Sequence, residues 1–135
     1  MHEWALAESI IMAVVDLAKR ENAKEILEVE LLVGELQTLN IEVLEFALNE
    51  LKRGTMAENA KIKFSKQFPR FKCIACGNVW EIRNLENILS RDEIESIHFI
   101  PELSHVFIKC PRCGSNDFQV TEGRGIILKG VVLKK

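Results

Sequence analysis

The sequence predicts an α+β fold in which two helices pack on a small mixed sheet and a four-cysteine lobe is inserted into the main domain. Apolar residues recur at three- and four-residue steps in two segments, they alternate in others, and two CxxC pairs lie between alternating segments. With 135 residues, 47% of them hydrophobic, the chain can bury one substantial core and carry a metal-stapled lobe as well.

The first helix spans Glu3 to about Glu21, with Trp4, Ala7, Ile10, Ile11, Val14, Leu17 and Ala18 on one face. Glu25 to Val33 alternates instead. Leu27, Val29, Leu31 and Val33 share one side and Ile26, Glu28, Glu30 and Leu32 the other, which reads as a strand with one buried face. Asn40 is placed to cap a second helix with Val43, Leu44, Ala47, Leu48 and Leu51 inside, and Gly54 stands where it should stop. Ala60, Ile62 and Phe64 form a second strand, and Phe118 to Leu133, interrupted by Gly123, Gly125 and Gly130, forms a strand or hairpin. Residues 1–68 plus 118–135 are therefore expected to make one domain and 69–117 the inserted one. Pro69 and the Gly114-Ser115-Asn116-Asp117 run are the expected hinges.

The lobe's chemistry resides in Cys73-Ile-Ala-Cys76-Gly and Cys110-Pro-Arg-Cys113-Gly. Each pair sets two thiolates on one side of a tight turn, the following glycine accepts the unusual backbone, and two such turns complete a tetrahedral sulfur cage of zinc-ribbon type for Zn2+. Such a cage has no open position for an activated water, so it is structural. Gly77 and Gly114 are expected to let backbone N–H groups approach the sulfurs, and Pro111 to fix the second turn. Disulfides are the competing reading. The lack of an apolar leader or spanning stretch argues for a reducing cytoplasmic setting, where paired CxxC motifs bind metal, and a rubredoxin-like iron site remains a further alternative.

A net charge of −2 gives no general attraction to phosphate backbones, although Lys61, Lys63, Lys66, Arg70 and Lys72 form a local basic run. No nucleic acid and no membrane partner is expected. No catalytic triad or phosphate loop is readable, so no enzymatic activity is expected either.

At the amino terminus, the free α-amine of Met1, the deprotonated amide nitrogen of His2 and the His2 imidazole can close two fused chelate rings in one plane. That geometry suits Ni(II) or Cu(II) and leaves a fourth position open, so the ion is transferable. Initiator Met1 is expected to be retained before His2. Glu3 also has a plain reading as an acid in a first helical turn.

Met1-His2-Glu3 opening a helix, the CxxCG and CPxCGS knuckles, Val33-Gly34-Glu35-Leu36 after the first strand and Phe46-Ala47-Leu48 on the second helix together resemble the HypA family, over essentially the whole chain. The resemblance implies a nickel metallochaperone for hydrogenase maturation, delivering Ni2+ cargo to the [NiFe]-hydrogenase large subunit in concert with the GTPase HypB. It implies His2 as nickel ligand with Glu3 beside it and a structural zinc, so that 1–68 plus 118–135 is the nickel-binding domain and 69–117 the zinc-binding one. A dimer is compatible with it, and urease is another recipient in some organisms.

The chain departs from the common family pattern in the long link from Gly77 to Lys109. Leu85, Ile88, Leu89, Ile94 and Ile97 read there as a short amphipathic helical stretch and His105-Val106-Phe107-Ile108 as a strand. His98 is a candidate fourth nickel nitrogen, against the plain reading of a packed or solvated histidine, and His105 is read as structural. A zinc-ribbon nucleic-acid or assembly adaptor without nickel is the alternative function.

Overall fold

The computed structural model describes residues 2–36 and 39–135. Helix α1 (Glu3–Arg20) is followed by strand β1 (Glu25–Gly34), helix α2 (Ile41–Leu51) and strand β2 (Lys61–Gln67). Strands β3 (Arg70–Cys73) and β4 (Val79–Glu81) surround the first knuckle, helices α3 (Arg91–Phe99) and α4 (Ser104–Phe107) fill the long link, and β5 (Phe118–Glu122) and β6 (Ile126–Lys134) close the chain. The strands form two three-stranded sheets, ordered β2-β1-β6 and β4-β3-β5. The α+β class is confirmed, and the segment after Phe118 is two strands serving two different sheets.

By contacts the chain divides into two compact units. Unit 1 comprises Met1–Leu32, Leu39–Ser65 and Ile127–Lys135; unit 2 comprises Val33–Thr38 and Lys66–Ile126. In unit 1, α1 buries Ala7, Ile10, Ile11, Val14 and Ala18, and α2 buries Leu44, Ala47 and Leu48. These are the apolar stripes their periodicity announces. Trp4 and Val43 leave their expected places in the stripes and lie 47% and 37% exposed. Asn40 caps α2 as expected, its side-chain oxygen accepting from the Val43 N–H at 3.1 Å. Strand β1 buries Val29 and Leu31 but exposes Leu27 and buries Ile26, whose N–H donates to the Met56 carbonyl at 3.0 Å.

Unit 2 has its own core of Leu36, Phe71, Ile82, Leu85, Leu89, Ile97, Ile108 and Phe118. Phe71 stacks on Trp80 and meets Phe118 edge-on, both with ring centroids 5.2 Å apart. Helix α3 starts on a capping box in which Ser90 and Glu93 satisfy each other's backbone N–H groups. The strand expected at His105–Ile108 is corrected to the single helical turn α4 and the extended Ile108, whose N–H returns to the Ser104 carbonyl at 2.8 Å. Pro69, expected as a hinge, is buried in unit 2, where its carbonyl accepts from the Ile82 N–H. The Gly114–Asp117 run is equally built in, with the Ser115 and Asp117 carbonyls accepting from Cys110 and Ile74.

Candidate metal centres

The two knuckles are near copies. In the first, the Cys73 N–H donates to Asn78 and the Gly77 N–H to Cys73; in the second, the Cys110 N–H donates to Ser115 and the Gly114 N–H to Cys110. Gly77 and Gly114 have φ of 79° and 76°, a left-handed conformation that a side chain would strain. Their own N–H groups close the turns onto the cysteine carbonyls, and the turns so formed bring other backbone N–H groups to the sulfurs, as expected. The Arg112 and Cys113 N–H groups bond Cys110, joined by Asn78, whose Nδ2 donates to the Cys110 sulfur at 3.7 Å. Asn78 was not foreseen; its place directly after CxxCG was the available signal.

The four sulfurs converge. Cys73 and Cys113 approach to 3.6 Å, Cys76 and Cys110 to 3.7 Å, and all four lie within 4.8 Å of one another. A tetrahedral ion with bonds of about 2.3 Å needs sulfurs about 3.8 Å apart, whereas a disulfide needs about 2 Å. The donor set thus fits a four-coordinate thiolate metal such as zinc. The thiols do not ionise as equals. Burial opposes charge on Cys110, yet the N–H groups of Cys113 and Arg112 with Cys76 and Asn78 outweigh it and hold the thiol down to about 6. The Ser115 N–H favours charge on Cys113, but the neighbouring sulfurs of Cys73, Cys76 and Cys110 and desolvation push it up to about 12.

The other predicted ligands are distributed as follows. Met1 lies outside the described residues. His2 is exposed at the N-cap of α1, its carbonyl accepting from the Leu6 N–H at 2.9 Å. Glu3 is only 6% exposed, and its carboxylate accepts from the backbone N–H of Asn40 at 3.0 Å. That bond leads the causes holding its carboxyl down to about 2. His98 is exposed in the last turn of α3, in unit 2, where it lines an open groove of about 710 Å³ with Asp92, Glu95, Ser96 and Phe99. In the same unit Glu35 lies 3.6 Å from Lys66; burial lifts its carboxyl above the ordinary value, with Lys66 and His98 pulling it down and Glu86 pushing it up. His105 stacks on Phe118 with centroids 4.3 Å apart, and its Nδ1 meets the Asn116 carbonyl at 3.2 Å.

Two α+β units, one of which brings four thiolates together in a cage that could hold a metal ion, define a small protein with a four-cysteine metal site. The family described as hydrogenase/urease nickel incorporation, metallochaperone, HypA, matches residues 1–133. The hydrogenase maturation factor HypA of Pyrococcus abyssi is 47% identical over 135 residues, covering 100% of this chain and 97% of that protein. That of Pyrococcus horikoshii is 46% identical with the same coverage. The solution structure of the Ni metallochaperone HypA from Helicobacter pylori shares the fold, with a TM-score of 0.69 at 18% identity over 99% of this chain and 98% of that one. The chain belongs to the HypA family of hydrogenase maturation factors. Its long link between knuckles is folded structure, α3 and α4, with Leu85, Leu89 and Ile97 in the core of unit 2.

Proposed function

We propose that this protein carries Ni(II) on its amino terminus and delivers it to the [NiFe]-hydrogenase large subunit together with the GTPase HypB, in the cytoplasm. Zn(II) in the Cys73, Cys76, Cys110 and Cys113 cage acts as a folding staple. The observation that carries the reading is the family match from residue 1, to a family described by nickel incorporation, together with an exposed His2 at the head of α1. The Met1 amine, the His2 amide nitrogen and the His2 imidazole supply three nitrogens in the tetragonal arrangement that nickel favours. Glu3, held by Asn40, fixes the direction in which the chain leaves that chelate. His98 supplies a fourth nitrogen when it reaches the terminus, and water or a partner group takes the position otherwise, which makes the cargo exchangeable. In this reading 1–68 with 118–135 is the nickel-binding part and 69–117 the zinc-binding part.

The zinc cage, being closed, takes no part in nickel exchange. The test is a nickel titration of protein with its native amino terminus, with one residue added before Met1, and with His2→Ala. Stoichiometric binding by the native form alone is expected. Equal affinity in all three forms would overturn the terminal site.

A further inference from the structure

Sheet β2-β1-β6 has two outer strands, and among the described residues neither has a strand on its far side. A free edge offers a row of unpaired N–H and C=O groups to any extended chain, and folds guard such edges with lysines, prolines or short strands. The two edges differ in that respect. Strand β2 exposes only Lys61, Lys63 and Lys66. Strand β6 exposes Ile127, Leu128 and Val132, at 48%, 38% and 48%, within nine residues that contain no proline. No other strand among the described residues leaves more than one large apolar side chain exposed.

What fits this edge is legible in the strand itself. The run Ile126-Ile127-Leu128-Lys129-Gly130-Val131-Val132-Leu133-Lys134 is centred on Gly130. Laid antiparallel against an identical strand with the two Gly130 residues opposite each other, all nine residues find partners: Leu128 faces Val132 and Ile127 faces Leu133. Lys129 then faces Val131 and Lys134 faces Ile126, so no lysine meets a lysine, and the crossing point carries no side chain. Centring the pair on Lys129 instead would set like charges directly against each other.

We infer that the free edge of β6 pairs with β6 of a second copy of this chain, joining two three-stranded sheets into one of six strands ordered β2-β1-β6-β6-β1-β2. Main-chain hydrogen bonds supply the affinity of such a contact, and the apolar pairs Leu128–Val132 and Ile127–Leu133 supply its register. The inference stands apart from the nickel reading, since each copy keeps its own amino terminus and its own four-cysteine cage.

Sedimentation equilibrium of the full-length protein as wild type, Leu128→Glu, Val132→Lys and the two changes combined tests this. The two positions are about 13 Å apart along one strand, too far to pair within a copy, whereas across the two-fold axis each faces the other. Wild type should associate reversibly to a dimer. Each single change sets a charge against an aliphatic side chain, twice per dimer, and should weaken association about tenfold or more; the combination sets carboxylate against ammonium twice and should recover most of it. Circular dichroism and metal content should not change in any variant, because both positions are exposed. A wild type that stays monomeric up to about 1 mM would overturn the proposal and leave the edge to an extended segment of another protein. So would a dimer that neither single change weakens, or a combination that associates no better than the single variants.

Discussion

The Glu3 carboxylate accepts the Asn40 backbone N–H at 3.0 Å, and Asn40 in turn caps α2 through Val43. One acidic residue in the first turn of α1 thereby fixes where the second helix begins. The bond answers two needs at once. A carboxylate that is only 6% exposed requires a donor, and the N-cap backbone of a helix offers one.

This bond makes stability depend on acid. The folded carboxyl of Glu3 is lowered from 4.5 to about 2, with the Asn40 N–H as the leading cause. A depressed folded value means the stabilisation is complete above 4.5 and disappears as pH falls towards 2. Glu3→Gln should flatten the acid limb of a melting-temperature profile across that window. An unchanged limb would assign the acid sensitivity to other carboxylates.

Glu35 should show the opposite sign. Burial raises its folded carboxyl value, and Lys66 offsets this only in part. Its contribution is fully present below the unfolded value and is lost as pH rises through the higher folded one. Glu35→Gln is expected to lose less stability than wild type between acid and neutral pH, as read by chemical denaturation at both.

Cys73→Ala or Cys110→Ala should release the metal and destabilise unit 2 selectively. Structural zinc contributes apparent binding free energies of roughly 10 kcal/mol or more in small domains, and both residues sit buried at the cage. Metal analysis paired with hydrogen exchange reads both effects. Protection should fall in residues 66–126 and persist in α1 and α2.

Gly34 and Gly54 offer a contrast in backbone control. A methyl group on Gly34 would overlap the Gly123 carbonyl, whereas Gly54, at φ 73°, has open space around it. Gly34→Ala should cost about 3 kcal/mol by overpacking against backbone that cannot yield. Gly54→Ala should cost about 1 kcal/mol, from conformational strain alone. Denaturant midpoints of the two variants provide the comparison.

Helix α1, helix α2 and the cage were legible because each is specified locally: a three-and-four apolar step, an Asn40 cap, two CxxCG turns. Trp4 broke from its stripe because periodicity reports a face, and the end of that face can run past the core to a neighbour such as Phe46. Residues 105–108 misled for another reason. A run as short as Val106-Phe107-Ile108 fits one helical turn or one strand equally, and the outcome was set by burial of Ser104 and Ile108 in unit 2. Strands β3 and β4 carried too few residues for their alternation to register, and their pairing, Phe71 opposite Trp80, becomes visible only in three dimensions. Ion pairing was equally invisible: that Lys63 meets Glu28 and Lys129 meets Glu30 emerged only from the structure.

The sheet order β2-β1-β6 has a consequence for synthesis on the ribosome. Strand β1 ends at Gly34, but its neighbour β6 begins only at Ile126, after nearly all of unit 2 has been made. Closing so long a loop is slow if the intervening chain is loose and faster if it has already condensed into a compact body. The nascent protein is thus expected to display His2 first and complete the sheet of the unit that bears it last, with unit 2 folding in between. Until β6 docks, β1 presents an unsatisfied edge, and a chain halted before Ile126 would be a substrate for chaperones or proteases.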